Sequence, residues 1–319
     1  MSNILITGGK GFIGAHLVYS LKDRHNITVL DGWTKNYPGF KAIHRGKDGL
    51  KEASALELKH RNIAASYRNL LTQDVYFVNK WTFGSNWDWH VKDVDLIINC
   101  GSLSEAILSQ YFKDFTHKSI VTGLEKIKEL YPNVPVLHFS SSMSYGTWEG
   151  TIQEDYPQNP VDLYGKAKKE SESLVTENDI ILRPMHVYGY GDGKFPITMN
   201  IERQAEKNQP VNVEEADCIY IKDLVDVINI LVDSWVPGIY NLSSGFVRDK
   251  NVIKTLSSEI LKIDIETTTK SGPTGKPRGR LDNSKLMNTF NWKPKFNTYE
   301  ETIKDYFNLY MKETHESDS

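Results

Sequence analysis

Tyr164 and Lys168 stand four residues apart in Tyr164-Gly165-Lys166-Ala167-Lys168, so on a helix the phenol and the ammonium share one face. That pairing can make a base. A free phenol, with a pKa of about 10, hardly ionises at neutral pH. A cation one turn away stabilises the phenolate and brings the pKa down. Just upstream, Ser140-Ser141-Ser142-Met143-Ser144-Tyr145-Gly146 follows an apolar run at residues 134–139 and sets hydroxyls at a strand end. A serine there could hold a substrate oxygen while its proton leaves for the tyrosine. A Tyr-x-x-x-Lys pair alone is commonplace, and what raises this one is its order after two other signals.

The first of those signals opens the chain. Ile4-Leu5-Ile6-Thr7 stops at Gly8-Gly9-Lys10-Gly11-Phe12-Ile13-Gly14, after which Ile13, Leu17 and Leu21 recur at helical spacing. A second apolar run, Ile27-Thr28-Val29-Leu30, ends in Asp31. Strand, glycine turn, helix, strand and acid within about thirty residues make a dinucleotide-binding unit. Its glycines let backbone approach a pyrophosphate, and the helix points free N–H groups and its positive dipole end at the phosphates. Asp31 can accept from both ribose hydroxyls of the adenosine, and its charge repels a 2′-phosphate, which favours NAD over NADP. Lys10, inside the loop, reads as a solvated surface lysine.

Elements must carry these groups to one place. Residues 95–100, ending in Gly101-Ser102, and residues 134–139 read as buried parallel strands, the second after a helical stretch at 117–131. Alternating strands and helices predict an α/β, doubly wound parallel sheet, whose ligands lie beyond the carboxyl ends of the strands, where Gly8, Asp31, Gly101 and Ser140 fall. The connection at about 32–91 is long; its middle, 50–71, has apolar spacing for one or two amphipathic helices, followed by a short strand at 75–78. Trp81, Trp87 and Trp89 read as aromatic core packing rather than a lid. Further helices are expected near 199–207, 222–235, 251–261 and 299–312, with 313–319 a frayed tail.

The chain's 319 residues carry 38 Lys plus Arg against 41 Asp plus Glu, a net charge of −3, with no basic footprint for nucleic acid. Cys100 and Cys218 lie outside any metal or disulfide spacing, so no metal site is expected and a reducing compartment fits. No signal peptide or membrane span is readable, which leaves a soluble cytoplasmic protein as the expectation.

With these motifs in order, the chain resembles the extended short-chain dehydrogenases/reductases, the NAD-dependent nucleotide-sugar epimerases and dehydratases. The likeness is carried by the glycine loop, the serine block with Tyr145-Gly146, the Tyr164/Lys168 pair and Leu182-Arg183-Pro184-Met185-His186-Val187-Tyr188-Gly189. Ile219-Tyr220-Ile221-Lys222-Asp223-Leu224, Ile239-Tyr240-Asn241-Leu242 and Asn291-Trp292-Lys293-Pro294 extend it to about residue 310. It implies a Rossmann domain at 1–184 and a smaller α/β substrate-binding lobe at 185–312, with segments returning to the first domain. It also implies Ser141 as the catalytic serine (Ser142 the fallback), Tyr164 as the base and Lys168 as its partner and holder of the nicotinamide ribose. Gly8, Gly11, Phe12, Ile13, Gly14, Asp31 and Gly101 would hold NAD. Ser104, Ser142, His186, Arg278 and Arg280 would contact a nucleotide-sugar substrate, and a homodimer would form through helices at 117–130 and 162–175.

Within that resemblance the two residues after the serine narrow the reaction. Relatives that dehydrate or decarboxylate carry acids there; this chain has Ser142 and Met143. A methionine cannot shuttle a proton, which favours a 4-epimerase working through a transient 4-keto sugar. A keto-sugar reductase or dehydrogenase with net hydride transfer, a 4,6-dehydratase and a non-enzymatic NAD-binding protein are the alternatives. Three departures concern the substrate: His186 replaces an Asn and Ala216 an Arg that contact the diphosphate, and the loop at 213–217 is short. Trp81 also stands near where the family has an adenine-contacting Asp.

Overall fold

The computed structural model describes residues 1–32, 43–46, 49–52, 55–80, 82, 90–104, 106–192, 197–270 and 279–316. A seven-stranded sheet organises them: β1 (Asn3–Thr7), β2 (Asn26–Leu30), β3 (Tyr76–Val78), β4 (Leu96–Asn99), β5 (Val136–Phe139), β6 (Ile180–Pro184) and β7 (Gly238–Leu242). Their spatial order is β7-β6-β5-β4-β1-β2-β3, and every pairing is parallel. The order turns back on itself between β1 and β4, where Thr7 pairs with Asn99. Both strands end there, which makes this the switch point at which such a sheet takes its ligand.

Strands covered on both faces should be apolar throughout, and every residue of β4 and β5 is buried. The covering helices are α1 (Phe12–Leu21), α2 (Ala55–Leu71), α3 (Gly123–Leu130), α4 (Leu163–Glu172), α5 (Ile221–Asp233) and α6 (Tyr299–Glu316). Of the apolar stripes of the expected dimer helices, Ile120, Leu124, Ile127 and Ala167 are buried within the chain's own core, while Leu163 and Leu174 are partly buried. The α6 helix continues to Glu316, four residues past its expected end, with Thr314 Oγ1 donating back to the Tyr310 carbonyl.

Past β6 the chain builds the small parallel pairs His186–Tyr188 with Cys218–Tyr220 and Val211–Glu214 with Thr267–Lys270, and it pairs Arg280–Leu281 with Thr151–Ile152, which precedes β6. It returns to the first layer through α5, tied to α1 by the Arg24–Asp233 ion pair at 2.6 Å, and through β7, which pairs with β6. Among the described residues of the long connection, the middle stretch forms one helix, α2. Arg68 on α2 donates to the Gly191 carbonyl at 2.6 Å, and His60 lies 3.2 Å from Glu202. These bonds lay the inserted helix against the smaller lobe. Trp81, Trp87 and Trp89 lie outside the described residues.

Candidate active site

At the end of β1 the backbone folds so tightly that only glycine fits. Gly8 has φ +68°, and a Cβ there would stand 2.4 Å from Gly101 Cα. A Cβ on Gly14 would stand 2.2 Å from the Gly8 carbonyl oxygen, so α1 rests directly on the turn. Gly11 caps α1 without a side chain, which leaves the helix start, at Phe12 and Ile13, open at the switch point. This cradle of backbone amides and absent side chains fits a pyrophosphate. Asp31, one residue past β2, accepts the Lys10 N–H at 2.9 Å, which fixes its carboxylate beside the same loop. Lys10 is not simply solvated: its ammonium sits 4.1 Å from the centre of the Phe77 ring.

Ser141, Tyr164 and Lys168, the trio expected from the sequence, meet on the other side of the switch point. Asp162 caps α4 by accepting the Gly165 N–H at 2.8 Å, starting the helix just before Tyr164. Gly165 lets that helix press on the serine turn, since a Cβ there would lie 2.4 Å from the Met143 carbonyl oxygen. Ser141 caps the short turn Ser142–Ser144, accepting the Met143 N–H at 3.2 Å, and its hydroxyl lies near Tyr164, where it favours the phenolate. Lys168 donates to the Phe139 carbonyl at 2.6 Å and to Ser102 Oγ at 3.2 Å.

The electrostatics differ from the expectation that lysine lowers the phenol. Burial pushes Tyr164 up to about 12; the nearby Ser141 hydroxyl opposes this and the Asp162 charge adds to it. Burial also lowers Lys168 to about 8, partly offset by Cys100 and Glu172. With its donors turned to Phe139 and Ser102, Lys168 is not bonded to the hydroxyl. The trio is therefore assembled with Tyr164 in its proton-donor form.

The proposed substrate contacts are less concentrated. Ser142 is buried within the serine turn; Ser104 is exposed in the segment after β4. His186 is exposed at the start of its short strand, in register with Cys218. Arg280 is exposed and joins the segment at Gly150 through its backbone N–H at 2.8 Å, next to the loop after the serines. Arg278 lies outside the described residues.

Three side chains had no role in the sequence reading. Ser102 holds Lys168. Glu172, buried at the end of α4, accepts from Arg183 at 2.6 and 3.0 Å, from Gln158 at 2.9 Å and from Ser140. Its position, four residues past Lys168 as Lys168 is past Tyr164, is a spacing that could have flagged it. Arg248 donates its backbone N–H to the Ala216 carbonyl at 3.2 Å, and its Nε is buried without a hydrogen-bond partner among the described residues. No local motif announces it.

The family model for the NAD dependent epimerase/dehydratase family matches residues 4–243. Among curated proteins, the chain is 25% identical over 160 residues to the spore coat polysaccharide biosynthesis protein SpsK of Bacillus subtilis (strain 168), a match spanning 47% of this chain and 56% of that protein. It is 22% identical over 347 residues to a probable UDP-arabinose 4-epimerase of Arabidopsis thaliana, covering 95% of this chain and 80% of the other. Among solved structures it shares its fold with UDP-glucuronic acid 4-epimerase from Bacillus cereus, in complex with UDP-glucuronic acid and NAD. That superposition has a TM-score of 0.75 at 17% identity and covers 96% and 98% of the two chains.

Proposed function

The chain belongs to the NAD-dependent epimerase/dehydratase family, and we propose that within it this protein is a 4-epimerase of a nucleotide-diphosphate sugar. The observation that carries the reading is the composition of the serine turn: Ser141 sets its hydroxyl near Tyr164, while the next two positions are buried Ser142 and partly buried Met143. Elimination of water from the neighbouring carbon needs an acid there, and these side chains cannot serve as one. Inverting a hydroxyl needs only a proton acceptor, a hydroxyl holder and a hydride store.

Gly8, Gly11, Phe12 and Ile13 would hold the pyrophosphate of NAD, Asp31 the adenosine ribose and Lys168 the nicotinamide ribose. When bound, NAD supplies a reversible hydride acceptor and a positive charge. Tyr164 exchanges the proton of the sugar's C4 hydroxyl, and Ser141 holds that oxygen as it becomes a carbonyl. Hydride returned to the opposite face of the 4-keto carbon, with Tyr164 giving the proton back to its oxygen, would invert C4 with no net redox change. His186 and Arg280, both exposed, would contact the nucleotide sugar. Arg248, paired through backbone with Ala216, offers the diphosphate a cation in place of the missing side chain at that position.

Incubating the purified protein with UDP-, GDP-, dTDP- and CDP-sugars tests the reading. The expected result is interconversion of two sugars with no net change in nicotinamide absorbance. Stoichiometric consumption of the dinucleotide would overturn it in favour of a reductase or dehydrogenase.

A further inference from the structure

We propose that His138 is a positioning residue: held as its neutral Nε2–H tautomer, it joins the dinucleotide loop to the helix of Tyr164 and Lys168 through a one-way chain of hydrogen bonds. The inference rests on the reading of that loop and helix as one NAD site.

The chain starts where Gly101 crosses Gly8. The Gly101 N–H donates to Thr7 Oγ1 at 3.1 Å, and the Thr7 hydroxyl donates to Asn99 Oδ1 at 2.7 Å. The Asn99 amide then points its Nδ2 at His138 Nδ1, 3.1 Å away. His138 Nε2 lies 2.9 Å from Ser171 Oγ, and the Ser171 hydroxyl donates to the Lys168 carbonyl at 2.8 Å. Each proton is accounted for. Ser171 has one hydroxyl proton, directed at Lys168, so its oxygen accepts from His138 Nε2–H. The ring's Nδ1 is left as the acceptor that the Asn99 amide requires.

Thr7, Asn99, His138, Ser171 and Lys168 are all less than 9% exposed, so water does not compete for these bonds. Burial, reinforced by the Lys168 charge, holds His138 well below the ordinary histidine pKa, in keeping with a neutral ring. A fully satisfied buried network specifies one arrangement, because losing any link strands the next. Here that arrangement fixes the end of β5 against α4 twice over, by His138–Ser171 and by Phe139–Lys168. A change in the Gly8 turn on dinucleotide binding therefore reaches the helix bearing the catalytic pair.

The test uses the full chain labelled with nitrogen-15 histidine, together with NAD titrations of Thr7→Val, Ser171→Ala and the double variant. His138, assigned by its loss in His138→Gln, should give a neutral Nε2–H signal protected from solvent. Each single variant should weaken NAD binding about 5-fold, and the double by about the same factor rather than about 25-fold, because both cut one connected path. An Nδ1–H or protonated ring, or losses that multiply, would overturn the proposal, and so would a wild type that binds no NAD. Should variants fail to fold, the wild-type spectrum still decides the tautomer. A chain that binds NAD with these couplings yet epimerises nothing counts against the 4-epimerase reading alone.

Discussion

The Lys168 ammonium lies 5.7 Å from the centre of the Tyr164 ring and bonds the Phe139 carbonyl at 2.6 Å rather than the Tyr164 hydroxyl. Tyr164, pushed up to about 12 by burial, is thus a proton donor in the protein by itself. The base role proposed for it requires a positive charge beside it, which would link its chemistry to occupancy of the dinucleotide cradle. Proton transfer of this kind contributes about 10²–10⁴-fold to rate. Tyr164→Phe should therefore lower kcat by at least that factor while NAD affinity changes little. Chromatographic turnover assays alongside NAD titration check this, and full activity in the variant would remove Tyr164 from the mechanism.

Burying a lysine costs stability, and the cost has a pH signature. Lys168 falls from 10.5 to about 8 on folding, so between those values the unfolded chain binds a proton that the folded one does not. Stability contributed by this group therefore rises with pH across that window, and the neutral-pH penalty is of order 3 kcal/mol at about 1.4 kcal/mol per pKa unit. Lys168→Met removes the penalty but strands the Phe139 carbonyl, at a pH-independent cost of about 1–3 kcal/mol. The variant's stability relative to wild type should thus be highest below pH 8 and should decline towards pH 10.5. Urea midpoints across the window measure the slope; a flat difference would mean that Lys168 is not buried as a free cation.

How much of the site is legible in the amino-acid order depends on how local each constraint is. The crowding at Gly8 and Gly14 is set within a few residues, so the glycine turn and Asp31 were legible as one unit. The Tyr164–Lys168 pair comes from helical spacing, and the strands at 95–100 and 134–139 from short apolar runs bounded by turn residues. Arg248 was not legible, because its place beside Ala216 depends on a backbone contact between segments 32 residues apart in sequence. His138 reads as one more strand residue until the sheet sets it between Asn99 and Ser171. Lys10 looked solvated because Phe77, its partner, lies across the long connection.

Asp31 should decide between the two nicotinamide dinucleotides. Its carboxylate is fixed by the Lys10 N–H at 2.9 Å, and a charged acceptor of ribose hydroxyls contributes about 1.5–3 kcal/mol per bond. Asp31→Ser should weaken NAD binding roughly 10-fold or more by that measure. It should also narrow the gap to NADP, since the repulsive charge goes while the Lys10 ammonium stays. Calorimetric titration with both dinucleotides gives the ratio, and an unchanged preference would place the ribose elsewhere.

Arg248 makes the sharpest test of how the chain manages without an arginine at position 216. Its backbone N–H is bound to the Ala216 carbonyl, and its side chain lies near Cys218, whose strand pairs with that of His186 in register. The buried Nε without a partner among the described residues is a donor that an anionic substrate could satisfy. In the proposed reaction a charge-assisted contact to the diphosphate would act equally in ground and transition states, because the phosphates take no part in chemistry at C4. Removing it should raise KM and leave kcat unchanged. For Arg248→Ala the expected rise in KM is about 10- to 100-fold, with NAD affinity unaffected. Arg248→Lys should recover only part of the loss, since a point charge cannot reproduce the guanidinium fork. A fall in kcat at constant KM would instead make Arg248 a support for the fold around Cys218 and Tyr299.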